Sequence, residues 1–163
     1  MNAVFLWLEA TQLSTWVRES TSVFAFPTIL SFHAVGMGLA VGVNAAIALR
    51  LLGVAARVPP RELRHFARVM WLGFWLNTAS GLLLLIGYPT KALTNPVFYM
   101  KLLLIAVGMW LYVAMTRRIL ESDAGGVPTG AGFLGAVSLA CWAGAITSGR
   151  LLAYTADRIL ATW

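Results

Sequence analysis

Four long runs of the chain carry no Asp, Glu, Lys or Arg: Ser20 to Leu49, Val69 to Thr90, Leu102 to Thr116 and Ala124 to Gly149. An α-helix rises about 1.5 Å per residue, so a bilayer core of about 30 Å takes about 20 apolar residues. Each run therefore predicts one membrane span, the third helped by a lysine at its start that reaches back to the interface. The expected spans are 24–52, 69–88, 97–116 and 133–154. Ahead of them, residues 3–19 read as a short amphipathic helix lying on the membrane face. In it Phe5, Leu8, Trp16 and Val17 dip into the interface, and Glu9, Gln12 and Arg18 stay wet. The fold class that follows is all-α integral membrane, a four-transmembrane-helix bundle with an N-terminal interfacial helix, forming one domain over 1–163.

The breaks between runs are turn chemistry. Pro27 stands in the first turn of the first span, where its missing N–H is not needed. "ARVPPREL" is a stiff first connection, "GYPTKALTNP" a turn-rich second and "ESDAGGVPTGAG" a glycine-rich third. The first apolar stretch, "AVFLWLEATQLSTWV", contains Glu9 and several hydroxyls and lacks a small-residue cleavage site, so the N-terminus is expected to be retained.

Composition agrees: 60% of residues are hydrophobic and 11% charged, well outside ordinary soluble usage. Connections this short leave no room for a soluble catalytic domain, so function must sit inside the bundle or at its mouths. A net charge of +6 raises the question of nucleic acid, but the basic residues sit where topology wants them. Arg50, Arg57, Arg61, Arg64 and Arg68 surround the first connection, and Arg117 and Arg118 begin the third. The positive-inside rule makes those connections cytoplasmic, places both termini outside and argues against nucleic-acid binding. Cys141 lies mid-span, reads as a small apolar filler and forms no internal disulfide, being the one cysteine.

Aromatic residues crowd the expected outer boundary as a belt: Trp16, Phe24, Phe26, Tyr88, Phe98, Tyr99 and Tyr154. Small residues form two packing stripes, Ala34, Gly38 and Gly42 on the first span and Gly73, Asn77 and Gly81 on the second.

Against this background a few polar groups stand out by depth. His33 precedes Arg50 by seventeen residues, roughly 25 Å of helix, and Lys101 precedes Arg117 by sixteen, roughly 24 Å. Arg150 lies seventeen residues beyond the expected start of the fourth span, roughly 25 Å up. Three helices thus bring a histidine, a lysine and an arginine to similar heights in the outer leaflet. Helical periodicity adds neighbours: Met37 and Asn44 share a face with His33, Gly108 and Tyr112 with Lys101, and Thr147 and Tyr154 with Arg150. The expected cofactor-binding set is His33, Lys101, Arg150, Tyr112, Tyr154 and Asn77. Simple snorkelling to the headgroups is the alternative for Lys101 and Arg150, and a structural histidine bonded to a neighbouring helix the alternative for His33. His65, in "RELRHFAR", reads as a solvated rim residue.

Three ligands suit such a set. A b-type haem takes His33 as metal ligand, with Lys101 and Arg150 on its propionates. A quinone takes a hydrogen bond from His33 or Tyr112, with a cation beside it. Copper takes His33 and Met37 with Met100 nearby, since imidazole and thioether suit Cu(I), although a positive cluster repels a bare cation. A haem held between His33 and His65 is excluded, because roughly 25 Å separates them along the membrane normal. The acids Glu9, Glu19, Glu62, Glu121, Asp123 and Asp157 all lie outside the spans, so no carboxylate pair or proton wire is formed.

The segments "FHAVGMGLAVG", "ALRLLG", "TASGLLLLIG", "NPVFYMKLLLI" and "ITSGRLLAY" together resemble a family of small bacterial inner-membrane proteins with four spans and an outer N-terminal helix. More distantly, the first three spans resemble HemJ-type protoporphyrinogen oxidase and the CopD-type membrane domain. His33 with Gly36, Arg50 with Leu51, Thr78 with Gly81, Leu82 and Leu83, and Lys101 match the HemJ-type pattern. The resemblance implies b-type haem and activity carried by His33 and Lys101. "CWAGAITSGRLLAY" departs from that type, so Arg150 has no counterpart in it. The resulting expectation is a small redox protein of the inner membrane that binds haem or quinone, alone or beside a membrane redox partner or a second copy. Its alternatives are a cofactor-free packing or assembly subunit of a larger membrane complex, and a copper-handling protein.

Overall fold

A computed structural model describes residues 2–54, 58–121 and 130–160. Arg57 and most of the "ESDAGGVPTGAG" connection fall outside them. Among the described residues eight helices follow in order: α1 Asn2–Glu9, α2 Gln12–Glu19, α3 Phe26–Leu51, α4 Pro60–His65, α5 Ala67–Gly87, α6 Pro89–Leu93, α7 Pro96–Glu121 and α8 Ala131–Leu160. Four of these, α3, α5, α7 and α8, are long and apolar enough to cross a membrane. Their outward faces carry large apolar side chains, Trp75 at 62% exposure and Trp110 at 67%, while Asn44 and Ser138 are fully buried. Apolar outside and polar inside is the arrangement a lipid solvent selects. The protein is a multi-pass membrane bundle.

Its packing is pairwise. The most extensive contacts join α3 to α5 and α7 to α8, and α3 against α8 joins the two hairpins. Glycines set the close approaches. A Cβ on Gly36 would stand 2.6 Å from the Asn77 nitrogen, and one on Gly73 would stand 2.6 Å from Leu39 Cβ, so neither position admits a side chain without displacement. Gly135 plays the same part between α8 and α3, where a Cβ would meet the Ala48 carbonyl at 2.7 Å. The stripe expected on the first span is displaced: Gly38 and Gly42 are exposed with nothing within 4 Å, and Gly36 and Ala40 make the contact instead. Because α3 is apolar all round, its sequence shows little preference for one face.

The two ends of the bundle differ. Toward the arginine-rich end Ile47, Met70, Tyr112 and Met115 pack into a solid core. The opposite end is closed by short elements. The expected single helix over 3–19 is two, because Thr11 caps a new start: its Oγ1 accepts from the Ser14 N–H at 3.3 Å. Nor does this pair merely float on lipid. Val17 is fully buried against Gly87, and the Ser14 hydroxyl donates to the Gly87 carbonyl at 3.4 Å. Glu9, expected to stay wet, accepts at Oε1 from the Thr90 N–H at 3.2 Å. Thr90 belongs to α6, the short helix into which the expected turn-rich loop folds.

Candidate functional site

Behind α6 the bundle is hollow. A cavity of about 360 Å³ takes its wall from all four spans and from α6, within the range of small-molecule sites. Its lining is aromatic and aliphatic, with Phe26 and Leu30 from α3, Leu84 from α5 and Phe98 from α7. Tyr88, the residue joining α5 to α6, meets Phe26 edge-on at the mouth, ring centres 6.1 Å apart. Three polar side chains interrupt this surface: His33, Lys101 and Lys91. Among the described residues no aspartate or glutamate lines it.

His33 is held from α5. Its Nδ1 lies 3.1 Å from the Asn77 carbonyl oxygen and 3.2 Å from Ser80 Oγ. A carbonyl only accepts, so Nδ1 carries the hydrogen and donates to it. Ser80 gives its own proton to the Leu76 carbonyl at 2.7 Å, which leaves its oxygen free to accept as well. With its hydrogen on Nδ1, a neutral ring keeps its lone pair at Nε2, which makes no hydrogen bond among the described residues. Gly81 makes room for the ring, since a Cβ there would stand 3.2 Å from His33 Cε1.

Lys101 enters from α7 and lays its stem along α8. A Cβ on Gly149 would lie 3.6 Å from its Nζ and 3.7 Å from its Cε, so that glycine leaves the space in which the lysine chain runs. The result is two primary amines, of Lys101 and Lys91, and an oriented imidazole in a largely apolar hollow with no carboxylate on its wall among the described residues. A charge so placed is costly unless something in the cavity answers it.

Of the expected cofactor-binding set, then, the structure brings His33 and Lys101 to one cavity. Asn77 stands behind His33 and contributes its backbone oxygen, while its side-chain Oδ1 is buried with no hydrogen-bond partner among the described residues. Arg150 and Tyr154 are exposed and do not line the cavity, and Tyr154 is 68% exposed. The face of α8 that turns inward is instead Trp142, Ala145, Ser148 and Gly149. Tyr112 also faces inward, but it follows Lys101 by eleven residues, roughly 16 Å along the helix, and packs in the solid core. Met37 and Met100 are not on the wall, and His65 belongs to α4 at the far end. No group of three or more His, Cys, Asp or Glu residues suited to a metal occurs among the described residues.

Sequence reasoning missed Ser80 and Gly149, and placed Gly81 in a packing stripe and in the HemJ-type pattern but not at the site. The spacing of Asn77, Ser80 and Gly81 on one helical face was a usable signal for Ser80 and Gly81. Phe26, Tyr88 and Phe98, expected as part of an aromatic belt at the outer boundary, line the cavity. Comparison with protein-family models, curated proteins and solved structures finds no match. The likeness to the HemJ type and to the CopD-type domain rests on the sequence motifs alone.

Proposed function

We propose that the protein is a redox component of the bacterial inner membrane whose cavity binds the head group of a quinone. The observation that carries this reading is the pairing of Lys101 with an oriented His33 in a largely apolar hollow that, among the described residues, no acid lines. A quinone ring offers oxygens at opposite edges and an apolar body. Lys101 Nζ would donate to a quinone oxygen, and His33 Nε2 would accept from a hydroxyl of the reduced ring. The aromatic residues around the mouth would shield the bound ring from water. A bound quinone supplies carriage of two electrons and two protons. The chain supplies a site for the proton at His33 Nε2 and a fixed positive charge at Lys101.

By the positive-inside rule the arginine-rich end is cytoplasmic, which sets the cavity in the outer leaflet and both termini outside. A membrane partner would then take or give the electrons.

A b-type haem is the second reading, favoured by one feature. An imidazole that donates from Nδ1 to a carbonyl and keeps Nε2 free is arranged as a metal ligand's usually is. Against it, a cavity of about 360 Å³ encloses a single-ring head group more readily than a whole tetrapyrrole. One preparation separates the readings: the protein purified in mild detergent, its reduced-minus-oxidised spectrum recorded and its organic extract analysed. Co-extracted quinone without a Soret band supports the first reading, and a Soret band lost in His33→Ala supports the second. Neither signal, after expression in quinone-rich and haem-replete cells, overturns both and leaves the packing subunit.

A further inference from the structure

A second hollow, of about 420 Å³, lies at the arginine-rich end on the outward side of α3. Gly42, Ala46 and Leu49 form one wall, and Val58, Leu63 and Phe66 form the other. Every one of these side chains is apolar, and a Cβ on Gly42 would meet nothing within 4 Å, so the groove opens to the surrounding lipid there. Gly42 precedes Arg50 by eight residues, so the groove reaches roughly 12 Å into the membrane from the arginine level. Arg50 also builds it: this side chain is buried, and its Nε donates to the Val58 carbonyl at 2.8 Å, which ties the second wall to α3.

The second wall belongs to a strongly basic segment. Between residues 50 and 68 the chain carries five arginines and one acid, Glu62. Arg68 is exposed just beyond the groove's last lining residue, Phe66. An apolar slot that runs into the bilayer beside a segment of net positive charge matches one class of molecule, with a hydrocarbon chain joined to an anionic head. We propose that the groove binds an anionic phospholipid, one acyl chain lying between Gly42 and Phe66 and the phosphate at the arginine-bearing segment. A zwitterionic lipid fills the slot equally well and leaves the basic charge unanswered. The selectivity therefore resides in the head group and the residence time in the chain.

The test is lipid analysis of the detergent-purified protein by mass spectrometry, alongside melting in the presence of added phosphatidylglycerol or phosphatidylcholine. The expected result is several-fold enrichment of phosphatidylglycerol or cardiolipin over the parent membrane, and a larger melting shift with phosphatidylglycerol. Gly42→Leu starts from a Cβ that meets nothing within 4 Å and fills the slot, and Ala46→Leu fills it independently; each should remove the enrichment while the protein stays folded. Arg68→Gln should weaken it several-fold. Equal retention of the two head-group classes overturns the proposal, as does enrichment that survives both filling variants. A dimer that Gly42→Leu dissociates, with no lipid preference, also overturns it and assigns the groove to a second copy of the chain.

Discussion

His33 Nδ1 stands 3.1 Å from the backbone oxygen of Asn77, one helical turn from where α3 and α5 come closest. The orientation of the cavity's imidazole is thus set by the register of two helices rather than by another side chain. Whatever shifts that register turns the ring.

Gly36→Ala tests this directly. The added methyl falls 2.6 Å from the Asn77 nitrogen and 2.8 Å from the Gly73 oxygen, both backbone atoms that cannot swing aside. Overpacking of this kind costs about 1–3 kcal/mol. Melting in detergent should show the loss in Gly36→Ala and almost none in Gly38→Ala, whose methyl meets open space.

Crowding the cavity should separate binding from folding. A side chain at Gly81 points at His33 Cε1, and one at Gly149 runs along the stem of Lys101. Gly81→Val and Gly149→Leu should each lower retained cofactor on the order of tenfold, the loss expected when a group is pushed off its binding geometry by about 1.4 kcal/mol. Helix content measured by circular dichroism should be unchanged. Full cofactor retention in both variants would argue that the ligand sits elsewhere.

Lys101→Met should move stability and binding in opposite directions. The methionine fills similar space without a charge, and replacing uncompensated buried charge by an apolar group stabilises by about 1 kcal/mol or more. Cofactor-free protein should therefore melt higher than wild type, while quinone retention falls. Arg150→Gln should change neither, since Arg150 lies outside the cavity wall.

The cap over the cavity hangs partly on Glu9. Its Oε1 accepts from the Thr90 N–H at the start of α6, which carries the Lys91 and Ala92 part of the wall. Glu9→Gln weakens a charge-assisted contact worth about 1 kcal/mol. Faster amide exchange over residues 88–94 is the expected result, with exchange in the middle of α3 unaltered.

Much of this was legible from spacing. The four spans follow from uncharged runs, and His33 and Lys101 converge because each lies about as far from its helix's arginines as the other. The failure at Arg150 has a physical cause. Thr147, which had made that face of α8 look polar, is exposed and satisfies itself by donating to the Ala143 carbonyl at 2.9 Å. Ser31 does the same with Pro27 at 2.8 Å. A hydroxyl on a membrane helix is therefore a poor marker of the inward face, because its own backbone answers it. Glycines mislead for a related reason: Gly36 and Gly38 differ only in what the neighbouring helix brings opposite them.

The pairing of helices also bears on biogenesis. α3 with α5, and α7 with α8, are hairpins of consecutive spans, so each can close soon after it leaves the translocon. His33 arrives on the first and Lys101 on the second. Neither hairpin alone owns a complete cavity wall, so under the proposed function ligand capture would report that the two halves have met. Co-expressing residues 1–93 and 94–163 as separate chains should restore cofactor retention that neither fragment shows by itself.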